Sequence, residues 1–244
     1  MIILCGGRGK RMGEITKKIP KPMLKVGKKT IIEHKLKYYQ SKGIEKFIFC
    51  LGYKSKLMKK FLLKKIKKGF FDEKGIDVGI LKRIFFVKKH IVTDTFVSYG
   101  DTLAKINFQD LIAKHKKSKC LLTLVVAPIK NPFGIVNWDK KFKAKNFEEK
   151  PILNHFIGYF VISPKFFKIV NKKIVNLKNG RGIIEAIRFL IKKKQVNIYK
   201  FNDLQITINS QSELYDAKSV SYTHLRAHET DSYLVCRLLL EKKS

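Results

Sequence analysis

The sequence predicts an α/β fold, a mostly parallel but mixed sheet flanked by helices, on three observations. Short apolar runs alternate with helix-patterned segments through the first half of the chain, the arrangement that sets parallel strands side by side under helices. Residues 120–127 form an unbroken apolar run of the kind found in central strands. The 244 residues, 45% of them hydrophobic, suffice for one large domain with a full core.

Each element has a local reason. Residues 1–4 read as a short buried strand. Thr30 and Glu33 have the spacing of a capping box, and the helix they open carries Ile32, Leu36 and Tyr39 inward until Gly43 ends it. Residues 46–51 give the second strand. A lysine-rich helix from Ser55 to about residue 68 is expected to bury Leu57, Phe61 and Ile66 and to turn its lysines to solvent. Residues 95–99 form a third strand that ends in Gly100-Asp101, and a helix over 108–116 leads into the apolar run at 120–127. Residues 134–138 and 142–147 flank Asp139-Lys-Lys as a hairpin. Residues 156–162 are a strand, after which Ser163 caps a helix with Pro164 at its first position. Residues 182–193 are helical, and 196–201 and 205–209 close the sheet. No internal repeat or flexible linker interrupts the pattern.

A net charge of +34 would ordinarily point to a nucleic-acid or anionic-membrane partner. The excess is mostly lysine spread over the whole length, without an arginine stripe, a basic arm or a recognised nucleic-acid motif, so no specific nucleic acid is expected. Cys5, Cys50, Cys120 and Cys236 lie far apart, with no metal-ligand spacing, and read as reduced thiols suited to the cytosol. No signal peptide is read at Met1, and no apolar run approaches a membrane span, so a cytoplasmic protein is expected. From residue 219 the lysine- and isoleucine-rich style gives way to arginine and histidine, and the stretch resembles a translated sequencing-adapter read-through. The functional unit is therefore taken as residues 1–218, with 219–244 a non-native tail.

The chemistry concentrates at the start. After the first strand comes Cys5-Gly-Gly-Arg-Gly-Lys-Arg11, and ten residues on stands Pro20-Lys-Pro-Met23. A strand running into a glycine-rich basic loop lets backbone N–H groups and cationic side chains surround a polyphosphate. The loop is neither of two commoner phosphate motifs. No Ser or Thr follows Gly9 and Lys10 as a Walker loop requires, and Met12 stands where a dinucleotide fingerprint needs its third glycine.

With these residues the chain resembles the sugar-phosphate nucleotidyltransferases, whose signature GGxGxR followed by PKPM stands here as Gly6 to Arg11 and Pro20 to Met23. Within that family it looks most like the glucose-1-phosphate cytidylyltransferase branch, through Ile31-Ile-Glu-His34, Gly43-Ile44, Gly52-Tyr53-Lys54, Tyr99-Gly100-Asp101, Phe133-Gly134, Glu149-Lys150-Pro151 and Gly158-Tyr159-Phe160. The resemblance implies a Rossmann-like, GT-A-like architecture, and an enzyme that joins an NTP to a sugar 1-phosphate with Mg²⁺ and releases pyrophosphate. It implies that Leu4, Gly6, Gly7, Gly9, Arg11, Lys21, Gly79 and Gly100 bind the nucleotide, and that Arg11, Lys21 and Asp101 carry the catalysis. Glu149, Lys150 and Gly158 would take the sugar phosphate, and Asp101 would hold the metal with Asn209 or Thr207 in the place of a second family aspartate. Neutral oxygens bind Mg²⁺ more weakly than carboxylate does.

Phe156 replaces the asparagine of the family's Asn-x-Gly motif, and the glycine pair that seats the base is reduced to Gly79. CTP and glucose 1-phosphate are the first expectation for the substrates. The alternatives are dTTP, UTP or GTP as donor, or a homologue that binds nucleotide or sugar phosphate without turnover. A homo-oligomer is left open, and no histidine is assigned to catalysis.

Overall fold

A computed structural model of the chain describes residues 1–178, 180–208, 210–215 and 217. Asn209 and the expected tail at 219–244 lie outside the described residues. A seven-stranded sheet forms the centre. From edge to edge it consists of β12 (Val196–Lys200), β8 (Leu122–Lys130), β11 (Ile152–Ile162), β6 (Thr95–Tyr99), β1 (Ile2–Leu4), β4 (Phe47–Cys50) and β5 (Gly69–Asp72). Strand β11 runs against both of its neighbours, whereas the pairs β12–β8, β6–β1, β1–β4 and β4–β5 are parallel. The C-terminal ends of β1, β4, β5 and β6 therefore share one edge, where ligands of open α/β sheets collect.

Alternation along β1 builds two cores. Ile3 faces the cluster that holds Ile32, Leu36 and Tyr39 of α2 (Ile31–Ser41), Met58 and Leu62 of α3 (Ser55–Leu63) and Leu111 of α5 (Phe108–Ser118). Ile2 and Leu4 face the opposite cluster, with Leu81 and Ile84 of α4 (Ile80–Phe86) and Ile183, Ala186 and Leu190 of α8 (Arg181–Lys192). A third, smaller cluster joins Met12, Leu24 and Ile31 to Ile208, Leu214 and Ala217. It takes in Val26 of β2 (Lys25–Val26), which pairs with β3 (Lys29–Thr30), and, partly buried, Ile19 just after α1 (Glu14–Lys18).

Several local expectations hold. Thr30 and Glu33 form the reciprocal capping box of α2. The expected hairpin is β9 (Ile135–Trp138) against β10 (Ala144–Glu148). Cys5 and Cys50 are buried free thiols, and burial, with Asp72 adding, pushes Cys50 up to about 12. Among the described residues no helix is long and apolar enough to cross a membrane.

Four expectations are corrected. Helix α3 stops at Leu63 and buries Met58 and Leu62; Leu57 is 40% exposed, and Phe61 and Ile66 are only partly buried. Strand β5 has no counterpart among the expected elements, because four residues at a sheet edge carry too little pattern; Phe71 is fixed there by stacking on Phe49 at 5.3 Å. The last strand, β13 (Gln205–Thr207), does not close the main sheet. It pairs with β7 (Thr102–Ala104) in a separate ribbon, and Ile208 N then donates to Asp101 O. Ser163 does not cap a helix with its side chain, since its hydroxyl donates to Asp94 and meets His115; the short helix α6 (Phe166–Ile169) starts after it, followed by α7 (Lys172–Val175).

Candidate active site

The glycine-rich loop leaves β1 at the shared C-terminal edge and borders a cavity of about 350 Å³. Its glycines have different reasons to be glycine. A Cβ on Gly6 would lie 2.5 Å from the Arg83 guanidinium carbon, and Gly9 sits at φ 64°, in the left-handed region. A Cβ on Gly7 would meet nothing within 4 Å, so Gly7 is the one that faces open space. Leu4, the three glycines and the exposed Arg11 all line the cavity.

Opposite the loop, Ile76, Val78, Ile80 and Arg83 form a second wall. Arg83 is 3% exposed and donates to Val78 O at 3.0 Å, Gly75 O at 2.8 Å, Ile76 O at 3.1 Å and also to Leu51 O. Its fork of donors thus ties the 75–78 loop to the end of β4. Arg8 and Asp77 form an exposed ion pair of 3.2 Å between loop and wall. Gly79 lies at the start of α4 but packs toward Leu177 O and is not among the residues lining the cavity.

At the cavity floor, Gly100 lets two segments approach. Its N–H donates to Leu4 O at 3.0 Å, and a Cβ there would come within 2.9 Å of both Leu4 O and Pro22 Cγ. This contact brings the Pro20–Pro22 turn onto the end of β6, and Lys21 Nζ donates to Asp101 Oδ2 at 2.6 Å. Lys21 is 8% exposed. Burial, with the Asp101 charge adding, pushes the Tyr99 phenol up to about 12.

The remaining expected residues lie elsewhere. Glu149 and Lys150 sit exposed between β10 and β11, 3.6 Å apart as an ion pair, and do not line the cavity. Gly158 occupies a bulge in β11 at φ 78°, where a Cβ would lie 2.9 Å from Tyr99 Cγ; Phe156 meets the same ring edge-on at 5.8 Å. Thr207 Oγ1 lies 3.2 Å from Thr102 Oγ1 and donates to Gln205 Oε1 at 3.1 Å.

Among the described residues no three His, Cys, Asp or Glu side chains gather as a metal cluster. Of the residues lining the cavity, Asp101 supplies the carboxylate, which fits a hard cation that takes one or two carboxylates and completes its shell with substrate phosphates and water. Arg83 and Lys35 were not among the expected site residues. Lys35 does leave a signal, since it interrupts the apolar stripe of Ile31, Ile32, Leu36 and Tyr39.

A seven-stranded mixed sheet with a glycine-rich loop and a lysine–carboxylate pair at its C-terminal edge defines an α/β protein of the nucleotide-handling class. The chain belongs to the nucleotidyl transferase family, whose model matches residues 1–206, and it is a sugar-1-phosphate nucleotidyltransferase. A "Probable glucose-1-phosphate cytidylyltransferase" of Bacillus subtilis is 30% identical over 247 residues, which cover 90% of this chain and 94% of that protein. The D-glycero-alpha-D-manno-heptose 1-phosphate guanylyltransferase of Campylobacter jejuni is 35% identical over 155 residues, 61% of this chain and 67% of that protein. The crystal structure of HddC from Yersinia pseudotuberculosis shares the fold, with a TM-score of 0.69 at 21% identity over 90% of this chain and 97% of that one.

Proposed function

We propose that this enzyme uses CTP as donor and glucose 1-phosphate as acceptor, within a catalytic unit of residues 1–218. A phosphate oxygen of the sugar 1-phosphate attacks the α-phosphorus, the bond between the α-phosphorus and its bridging oxygen breaks, and pyrophosphate leaves. The donor assignment draws its support from the Bacillus subtilis relative, which is matched over nearly its whole length. The observation that carries the site assignment is the Lys21–Asp101 pair at the floor of the cavity bordered by the glycine-rich loop.

In this reading the backbone N–H of Gly7 and the Arg11 guanidinium receive the triphosphate, as a glycine-rich loop and a fork of donors suit phosphate oxygens. Lys21 meets the α-phosphate, where charge develops during transfer. Asp101 holds a divalent cation, Mg²⁺ in the cell, with Thr207 or Asn209 as a neutral second donor; when bound, that cation supplies charge neutralisation. The apolar wall of Ile76, Val78 and Ile80 receives the base or ribose; Glu149 and Lys150, which stand outside the cavity, and the buried Gly158 are assigned to the acceptor side by the family resemblance alone. Cytoplasmic NTP pools fit this use.

Pyrophosphate release across CTP, dTTP, UTP and GTP, each with a set of sugar 1-phosphates, tests the reading on a chain ending at Lys218. Highest turnover with CTP and glucose 1-phosphate is expected. A preference for GTP with a heptose 1-phosphate would reassign both substrates and leave the reaction intact.

A further inference from the structure

We infer that Lys35 is a positioning residue for Asp101, an ammonium buried beneath the cavity floor that fixes the carboxylate's backbone through the neighbouring Thr102 carbonyl. This role rests on the nucleotidyl-transfer reading of the same site. Lys35 lies in the middle of α2 among Ile31, Ile32, Leu36 and Tyr39 and is 1% exposed. An aliphatic residue would serve the packing of that helix face, and burying a charge is costly unless it is well bonded.

The bonds it makes all converge on the segment that carries Asp101. Lys35 Nζ donates to Thr102 O at 2.5 Å and to the Tyr159 hydroxyl at 2.7 Å. The Tyr159 hydroxyl in turn donates to Thr102 O at 3.0 Å, so that carbonyl accepts two bonds, one of them from a cation. Tyr39 OH donates to Tyr159 OH at 3.0 Å and lies 2.9 Å from Ser98 Oγ, which reaches Tyr99 O at 3.2 Å. The ammonium also stands over the rings of Tyr159 at 4.5 Å and Tyr39 at 5.4 Å, a favourable placement for a cation. Both of these hydrogen-bond partners of Lys35 are uncharged.

Residues 98–102 are thereby held from below at Ser98 and Thr102, while Ile208 N holds Asp101 O from the side. The same hub joins β11 to the cavity floor, because Tyr159 belongs to β11 and Thr102 follows Asp101. Its charge is felt in the cavity lining as well: Lys35 works against the burial that raises the Cys5 thiol, and Cys5 lines the cavity. Fixed placement of a group that meets a cation and phosphate is where small displacements cost most in rate.

The test compares Lys35→Met, which keeps length and apolar bulk, Tyr159→Phe, which removes one hydroxyl, and the double variant. Each is measured for kcat, for KM of the nucleotide and for the cation concentration giving half-maximal rate, with the substrate pair the unaltered enzyme turns over best. Calorimetric titration with Mn²⁺ and CTP, without acceptor, gives a reading independent of turnover. For Lys35→Met we expect kcat to fall about 10- to 100-fold with nucleotide KM within about twofold, and the cation requirement to rise several-fold. Tyr159→Phe falls less, and the double variant is no worse than Lys35→Met, as for residues acting through one carbonyl. A Lys35→Met protein that melts earlier but keeps unaltered kcat and cation requirement would make Lys35 a packing residue and overturn the inference. If Lys35→Met does not fold, the same readings on Tyr159→Phe decide. Absence of pyrophosphate release by the unaltered chain would sink the reaction reading alone; Mn²⁺–CTP affinity would then decide the role of Lys35, with weakening in the variants supporting it and equal or absent binding in all proteins refuting it.

Discussion

Lys21 Nζ stands 2.6 Å from Asp101 Oδ2, although 80 residues separate the two in the chain. In the proposed function Asp101 would hold the divalent cation and Lys21 would meet the phosphate, so this pair would open when both substrates are bound. Asp101→Asn removes the charge and keeps the shape. It is expected to lower kcat about 10²- to 10³-fold while the melting temperature stays within a few degrees, the scale of losing one electrostatic stabiliser. Wild-type turnover in a pyrophosphate assay would show that Asp101 does not hold the cation.

Removal of the cation should mimic that variant in the unaltered protein. EDTA in excess is expected to reduce turnover to background, and added Mg²⁺ to restore it fully, because a cation held by Asp101 and substrate phosphates, as proposed, would be open and exchangeable. Turnover that persists through chelation would contradict the assignment.

The glycine-rich loop makes a contrast between adjacent positions. Gly6→Ala drives a methyl into the Arg83 guanidinium, so the clasp of four carbonyls must shift; a loss of about 1–3 kcal/mol in denaturant unfolding is expected, the usual range for overpacking. Gly7→Ala meets no atom within 4 Å and should keep stability within about 0.5 kcal/mol. Because its methyl would enter the space that the proposed function assigns to the triphosphate, its KM for the nucleotide should rise about 10-fold, the cost of one lost or crowded hydrogen bond to a charged group. Equal stability of the two variants would count against the Arg83 packing.

His115 gives the fold a pH dependence unrelated to catalysis. Its ring is 1% exposed, held by Thr123 Oγ1 at 2.7 Å and Ser163 Oγ at 2.9 Å. Burial lowers its pKa below the ordinary histidine value, with Asp94 at 3.5 Å pulling the other way. The unfolded chain therefore binds this proton more readily than the folded one. Stability is full above the unfolded value near 6.5 and falls as pH drops through it, levelling below the folded value. Urea midpoints taken between pH 5 and 8 should show this slope, and His115→Gln should flatten it. An unchanged slope in that variant would move the titration to another group.

Legibility followed the range of the interaction. The capping box of Thr30 and Glu33 and the turn at Asp139 join residues a few positions apart, and both can be read directly. The run at 120–127 announces an interior strand because both faces of β8 are covered there. Periodicity picks the wrong face of α3, since Leu57, Met58, Phe61 and Leu62 offer two overlapping apolar stripes and only the neighbouring sheet chooses between them. Lys35 and Arg83 take their meaning from carbonyls: Thr102 lies 67 residues from Lys35, and Leu51 lies 32 from Arg83. A backbone carbonyl has no letter in the sequence. Lys21, Asp101 and the loop, named through a family signature, line the cavity, whereas Glu149 and Lys150, named in the same way, stand away from it.

The small cluster under the glycine-rich loop sets an order of events during synthesis. Met12 packs with Ile208, Leu214 and Ala217, and Gln211 Nε2 donates to Met12 O at 3.1 Å. The loop emerges from the ribosome first, yet its support and the bond from Ile208 to Asp101 are made only after residues 208–217 have followed. A nascent chain thus carries the glycine-rich loop before the residues that pack beneath it exist, and the loop gains that support only when residues around 208–217 reach it.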